Sequence, residues 1–366
     1  MDDLPAPESS VRPPDDRHRH PYHMHEMIRR QPIAARTTLT SVEGLALPKL
    51  PADGRVLWTG IGTSFHAALA LSRAAGSERA APLRHSLAVP SFELRSDPPL
   101  LDEVTLAVLV SASGQTDVTR RAAALLKARK IPMLLISAAP GGPIAEIADT
   151  VVVTQFADES SWAHTVSYSA ALVAGNALLA GWSDSPAARF IELESIPDAI
   201  TAALAYENTL VEVAERWADR NPWILLASGP RSATIREGAL KLREAAGRFV
   251  ATIGVEELLH GPLASVEKGT IVVALTGTSL EAARAREGLA AARDIGAETL
   301  LLDSTPGATG PDVWTPSPLV GGISPIVDVI PLQLLAYWMG VSSGRNPDMM
   351  GLDDPKHRTA RGRFGL

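Results

Sequence analysis

Apolar residues in this chain gather into short runs, each followed by a small polar loop and then by a stretch of helical periodicity. Arg55-Val-Leu-Trp-Thr59 leads into Gly60-Ile-Gly-Thr-Ser64 and a helix over Phe65–Ala75. Val104–Val110 leads into Ser111-Ala-Ser-Gly-Gln-Thr116 and a helix from Asp117 to about Lys130. Pro132–Ile136 and Thr150–Thr154 read as further strands, Ala81–Ser86 as a short one, and Pro143–Ala148 as a short helix. Short apolar strands alternating with helices predict an α/β fold, a parallel sheet covered on both faces. Ala163–Trp182 is a long apolar helix for a core or an interface. Met24–Pro32 is a helix that should end at its proline.

The pattern then recurs. Pro222–Ala227 leads into Ser228-Gly-Pro-Arg-Ser232 and a helix around Glu237–Glu244, and Thr270–Leu275 leads into Thr276-Gly-Thr-Ser279 and a helix through Arg293, with Thr299–Asp303 a last strand. Ser64 and Ser232 lie 168 residues apart, Ser111 and Thr276 165. Two strand–loop–helix pairs at nearly one offset predict a duplicated domain. The expected organisation is a disordered Pro-rich tail over 1–22, a first domain with an N-terminal helix over 23–185, a helical connection over 186–221, a second domain over 222–345 with an apolar helix at 326–340, and a polar tail over 346–366.

Composition narrows the classes. The chain has 366 residues, 46% hydrophobic and 20% charged, enough for two ordinary cores. A formal net charge of −7 argues against nucleic acid or an anionic membrane as partner. There is no cysteine, which excludes disulfides, thiol catalysis and cysteine metal sites. The first residues are acidic and Pro-rich rather than signal-like, and no apolar run reads as a membrane span, so a soluble cytoplasmic protein is expected. His18, His20, His23 and His25 sit near a terminus that lacks the fixed, closed ligand set of a structural metal site. No metal or other cofactor is expected.

Chemistry concentrates in the loops and in one helix. Ser111, Ser113 and Thr116, with Gln115 between them, lie where a strand ends and a helix begins. Free backbone N–H groups and the positive helix end favour an anion there, and Gly114 allows close approach. Gly62, Thr63 and Ser64 offer the same at the first loop. Two such loops at neighbouring strand ends make a ligand crevice, and a sugar phosphate suits it. The alternative is that each hydroxyl is a helix N-cap. Glu237, Leu240, Lys241 and Glu244 share one helix face, which puts Lys241 beside Glu244. His260 stands at an element end before Gly261-Pro262. A base, a cation and an imidazole are the equipment for proton abstraction next to a carbonyl. The alternative is a solvated i,i+4 pair and a loop histidine. The dinucleotide, P-loop and Gly-x-Ser-x-Gly motifs are absent.

Gly60-Ile-Gly-Thr-Ser-Phe-His66, Ser111–Thr116, Glu237-Gly-Ala-Leu-Lys-Leu-Arg-Glu244 and Glu257-Leu-Leu-His-Gly-Pro262, in that order, resemble the tandem sugar isomerase (SIS) domains of the isomerase module of glucosamine-6-phosphate synthase. Met24–Pro32 resembles the helix opening that module, and Pro331–Ala336 its late helix. The similarity runs over roughly residues 24–350. It implies two tandem SIS domains, each a flavodoxin-like parallel sheet flanked by helices. It also implies roles. Ser64, Ser111, Ser113 and Thr116 would hold the phosphate and hydroxyls of the sugar, and Glu244 would shuttle a proton between C1 and C2. His260 would assist ring opening from the neighbouring subunit of a homodimer, and Lys241 would stabilise the enolate or orient the sugar. No metal is needed, since a charged lysine offsets enolate charge.

Three departures shape the expected activity. The glutaminase part and its nucleophilic cysteine are missing from this sequence, so glutamine is not expected to be the nitrogen donor. The family's tail lysine falls on Ala360, with Arg361 next and Lys356 nearby, and an arginine cannot supply imine chemistry. Glu159-Ser-Ser-Trp-Ala-His-Thr165 replaces a segment of small residues. Trp162 and His164 would reshape the sugar pocket, and Val166 takes the place of a lysine. The expected function is a phosphosugar isomerase or aminosugar-phosphate deaminase. The alternatives are a fructosamine-6-phosphate deglycase and a phosphosugar sensor.

Overall fold

Nine strands among the described residues build two parallel sheets in the computed structural model, which describes residues 17–50, 54–76, 81–308, 319 and 321–363. The first sheet has the order β2-β1-β3-β4-β5, with β1 Arg55–Gly60, β2 Leu87–Pro90, β3 Val104–Val110, β4 Met133–Ser137 and β5 Thr150–Val153. The second has the order β7-β6-β8-β9, with β6 Trp223–Leu226, β7 Val250–Ile253, β8 Ile271–Thr276 and β9 Glu298–Asp303. The second sheet repeats the first strand for strand and, among the described residues, lacks only the counterpart of β5. In each sheet the chain moves outward, returns past its first strand and continues the other way. That reversal opens a crevice at the carboxyl ends of β1 and β3, and of β6 and β8.

One continuous core joins the inner faces of both sheets through a layer of helices. The helices of that layer include His23–Val42, Thr63–Gly76, Val166–Gly181, Arg231–Ala246 and Ile330–Ser342. Separate clusters cover the outer faces, with Leu109, Leu126 and Leu135 on one side and Leu226, Val272 and Leu289 on the other. Every residue from Val166 to Ala180 is buried, which explains why that helix is apolar all round. Gly321–Ser342 has the length and composition of a membrane span, which the sequence reading did not recognise, but it lies almost wholly inside the core.

Several boundaries differ from the sequence expectation. The first helix does not stop at Pro32 but runs on to Val42. Proline cannot donate to the Ile28 carbonyl, and the Gln31 side chain takes that role at 3.0 Å, so the turn closes without the missing N–H. The strand expected at Ala81–Ser86 is a single helical turn, Ala81–Arg84, and the strand follows at Leu87–Pro90. Pro143–Ala148 is a run of turns, anchored by the Ile144 N–H on the Gly114 carbonyl at 3.1 Å. The helix expected from Ala163 starts at Val166, and the helix around Glu237–Glu244 starts at Arg231. The 186–221 connection is three short helices, Pro186–Glu194, Ile196–Leu204 and Glu207–Arg216.

The expected terminal tails are built into the fold where they are described. Residues 1–16 lie outside the described set, but Tyr22 is buried and His20 Nδ1 lies 2.7 Å from the Tyr337 hydroxyl. Asp348 is buried in the expected polar tail. Its carboxylate accepts from the His23 and Met24 N–H groups at 2.9 and 2.7 Å and so caps the first helix. His20 and His25 meet edge to face, and His25 bonds Glu207 at 2.6 Å. No metal-holding group of three or more His, Cys, Asp or Glu side chains occurs among the described residues.

Candidate active site

The Thr63–Gly76 and Arg231–Ala246 helices lie side by side and antiparallel, the start of the first against the end of the second. Turn spacing sets Glu237, Lys241 and Glu244 on the facing side. Glu237 and Lys241 are fully buried, so the pair is no solvated surface contact. Lys241 Nζ lies 2.5 Å from Glu244 Oε2 and 3.3 Å from Glu237 Oε1. It also donates to Thr63 Oγ1 at 3.2 Å, while that hydroxyl donates to Glu237 Oε1 at 3.1 Å. His66 Nδ1 is 2.7 Å from the second Glu237 oxygen. One ammonium thus lies between two carboxylates, and the arrangement is pinned to the first helical turn of the other half.

The electrostatics separate the two glutamates. Burial alone would raise the Glu237 carboxyl, but Lys241, His66 and Thr63 together outweigh it and hold it below its usual range. Burial would lower Lys241, and the adjacent Glu244 and Glu237 hold it charged. Burial raises Glu244 against the pull of Lys241, and the charge of Glu237 adds to the rise. A carboxylate shifted toward neutral pH is a better proton acceptor than a free one. The two glutamates of the cluster are thus shifted in opposite directions, Glu237 down and Glu244 up.

The loop that opens the facing crevice is shaped by glycine. Gly114 has φ +63°, and a Cβ there would sit 3.3 Å from the Ala139 carbonyl oxygen, so only glycine fits without strain. Ser111 is buried at the end of β3, and its hydroxyl has no partner. Ser113 Oγ accepts from the Gln115 N–H at 3.3 Å. Thr116 stands at the N-cap of the Asp117–Ala128 helix, but its side chain makes no capping bond. The N-cap alternative therefore does not account for Thr116. Thr63 and Ser64 open their helix rather than closing a loop, and with Ala112, Ser137, Thr154 and Ser167 they line a narrow polar crevice. Gly62, at φ +57° with open space around it, makes the turn into that helix.

Other expected residues are less gathered. His260 ends a short turn, Glu257–His260, with its side chain 70% exposed and bonded to Glu256 at 3.0 Å rather than to Glu244. Trp162 is half-buried, its backbone N–H donates to the Asp348 carbonyl at 3.2 Å, and its indole N–H has no partner among the described residues. The Arg361 guanidinium stands 5.6 Å from its ring centre, while Lys356 and Ala360 are exposed. Arg361, not Lys356, is the tail cation beside this segment.

Two residues beside this cluster, His66 and Glu159, carried no expected role, and His164 was expected only to reshape the pocket. The Glu159 carboxylate accepts from the Thr165 and Ser167 N–H groups at 2.7 and 2.8 Å, at the start of the Val166–Gly181 helix. Burial pushes it up to about 7, against those bonds and the pull of Lys241. Burial pushes His164 down to about 4, and the Lys241 charge adds to the shift. His66 and Glu159 each stand in a stretch quoted above for its motif. Their pairing depends on which helices meet, and no spacing rule reveals that.

The chain is similar to known proteins in sequence and in fold. Residues 50–181 match the family model described as the SIS domain. The glutamine–fructose-6-phosphate aminotransferase (isomerizing) of Thermococcus kodakarensis is 30% identical over 305 residues, covering 80% of this chain and 50% of that protein. The chain spans about half the length of the curated relatives it matches. Among solved structures, the C-terminal domain of glucosamine-fructose-6-phosphate aminotransferase from Francisella tularensis superposes with a TM-score of 0.78 at 23% identity, covering 89% of this chain and 97% of that one. A glucosamine-6-phosphate deaminase from Thermotoga maritima superposes with a TM-score of 0.68 at 20% identity, covering 89% and 95%. Residues 50–181 thus match the SIS domain, and the chain as a whole is similar to about half the length of the isomerising glutamine–fructose-6-phosphate aminotransferases.

Proposed function

We propose that this protein is a phosphosugar isomerase or aminosugar-phosphate deaminase that moves a proton between C1 and C2 of a sugar phosphate. The observation that carries the reading is Glu244, a carboxylate raised by burial and held 2.5 Å from a buried Lys241. In this reading the second sheet belongs to a second SIS domain, and the hydroxyl loops of the first domain bind the substrate. Ser111, Ser113 and Thr116, with Gln115 between them, hold the phosphoryl group beside Gly62, Thr63 and Ser64. Glu244 removes the proton from the carbon next to the carbonyl and returns it to the neighbouring carbon. Lys241 offsets the charge that grows on the enediol oxygen. Glu237, fixed by His66 and Thr63, keeps Lys241 charged and in place. His260 is exposed on its own chain, which suits a role in ring opening at the site of a partner subunit in a homodimer.

A second reading has one specific support. Trp162 with Arg361 over its ring forms an aromatic and cationic wall where the family has small residues and a lysine. Such a wall fits the larger adduct of a fructosamine-6-phosphate deglycase.

The test is a proton NMR time course in deuterium oxide with fructose 6-phosphate, glucosamine 6-phosphate and fructoselysine 6-phosphate as separate substrates. Deuterium entering C1 or C2 in wild type and not in Glu244→Gln supports enolisation, and the substrate that converts fastest chooses between the two readings. Exchange that survives Glu244→Gln removes Glu244 from the mechanism. Binding without exchange for every sugar points to a sensor.

A further inference from the structure

A second cleft opens at the carboxyl ends of β6 and β7, about 1430 Å3 with its open mouth. Ser228, Ser232, Arg236 and Gly254 line one side, and Arg73 and Gly76 from the end of the Thr63–Gly76 helix close the other. Its placement follows from the antiparallel pairing of the two helices. The end of the Arg231–Ala246 helix reaches the first crevice, so the end of the Thr63–Gly76 helix reaches the second. The offset of 168 that pairs Ser64 with Ser232 also pairs Arg73 with Lys241 and Gly76 with Glu244. Arg73 therefore holds at the second cleft the place Lys241 holds at the first. The position equivalent to Glu244 is Gly76, which carries no carboxylate, and a Cβ there would meet nothing within 4 Å.

Among the described residues, the two arginines of this cleft form no ion pair, although Glu256 and Glu257 also line it. Arg73 donates to the neutral carbonyl of Gly229 at 2.6 Å. Arg236 makes no ion pair among the described residues. Burial and the neighbouring Arg236 charge both lower the Arg73 guanidinium, the mark of two cations that lack an anion. Neither carboxylate of the cleft bonds the two arginines. Glu256 is held by Arg284 at 2.5 and 2.9 Å and by His260, and Glu257 accepts from the Gly254 N–H at 3.1 Å.

The hydroxyl loop that would cradle an anion in this half is closed. The Arg231 guanidinium fills it, for a Cβ on Gly277 would lie 1.8 Å from Arg231 Cζ. Arg231 Nε pairs with the buried Asp328 at 2.8 Å. An anion entering the second cleft must therefore be met by the arginines. A guanidinium pair matches the oxygens of a phosphoryl group through paired N–H bonds.

We propose that this cleft binds a small phosphorylated anion between Arg73 and Arg236, beside the Ser228 and Ser232 hydroxyls, without proton-transfer chemistry. The site is separate from the proposed active site and its test reads binding alone, so its failure is distinguishable from failure of the proposed reaction. Isothermal titration with inorganic phosphate and, separately, fructose 6-phosphate is run on wild type, Ser111→Ala/Ser113→Ala, and that double variant with Arg236→Gln added. The expected result is two sites in wild type, one in the double variant, and at least tenfold weaker binding at that site once Arg236 is replaced. Arg73→Gln gives a second reading of the same site should the triple variant fold poorly. Phosphate binding assigns the affinity to the phosphoryl group, and binding of the sugar phosphate alone assigns a share to the hydroxyls. Loss of all binding of both probes in Ser111→Ala/Ser113→Ala, or a surviving site indifferent to both arginine substitutions, overturns the proposal.

Discussion

The two halves share a strand order but use the same position in opposite ways. In the first half the β3 loop is lined by hydroxyls, and Ser111 Oγ is buried without a partner. In the second half the equivalent β8 loop is filled by Arg231, ion-paired with Asp328 and donating to Ser304, and Thr278 caps its helix by accepting from the Glu281 N–H at 3.2 Å. A duplicated frame therefore carries one loop left open for a ligand and one closed by its own side chain. The helix ends differ too. The second half sends Lys241 and Glu244 to the first crevice, and the first half sends Arg73 and Gly76 to the second. The same geometry gives a buried lysine between two carboxylates on one side and an arginine-lined cleft on the other.

The comparison can be broken most directly at Glu244. Glu244→Gln should lower turnover roughly a hundred- to ten-thousand-fold while sugar-phosphate binding persists, as expected for loss of a general base. Steady-state rates and a binding titration on the same sample check this, and loss of binding in parallel would contradict it. Next comes the plug of the second half. Asp328→Ala leaves buried Arg231 only the more distant Glu281 carboxylate at 3.9 Å and should cost about 3–5 kcal/mol in urea unfolding. A cost below about 1 kcal/mol, the range of a surface pair, would mean the plug is solvated.

Removing hydroxyls tests the open loop. Ser111→Ala and Ser113→Ala should each weaken sugar-phosphate binding by about 1.5–3 kcal/mol, the worth of a hydrogen bond to a charged group. Unfolding should change far less than binding; the reverse would make them structural. The pH dependence of Glu159 comes next. Its folded carboxyl is raised to about 7 from 4.5, so the folded chain keeps a proton the unfolded chain has released. The stabilising contribution is full below pH 4.5 and is lost as pH rises through 7. Glu159→Gln should therefore gain stability relative to wild type between pH 5 and pH 8, by on the order of 2 kcal/mol. Urea melts at the two pH values measure it, and a pH-independent difference rejects it. The smallest effect belongs to the closed loop. Thr278→Ala should cost about 1 kcal/mol of stability through the lost cap and leave ligand binding unchanged.

Much of the architecture was legible because apolar runs and glycine-rich turns are local signals. The strands at Arg55, Val104, Met133, Trp223 and Ile271, and the offset between the halves, follow from them. The errors have local causes as well. Pro32 was read as a stop because the Gln31 side chain that replaces its missing bond is invisible to a propensity rule. The strand Val250–Ile253 was not expected at all, since four residues after a helix carry too little pattern. The tail at 346–366 read as polar, yet Asp348 is buried because it caps a helix more than 300 residues earlier.

The sequence by itself determined the alternation of strands and helices, the repeated loops, and the one-sided face of Glu237, Lys241 and Glu244. These depend on neighbours three or four residues apart, where geometry is fixed by the helix. Only the tertiary structure decided that this face is buried, that Thr63 and His66 lock Glu237, and that Arg231 closes one loop while the other stays open. Those facts depend on contacts across more than 70 residues of chain, and on a desolvation that turns an ordinary charged pair into an ammonium held between a fixed carboxylate and a titratable one.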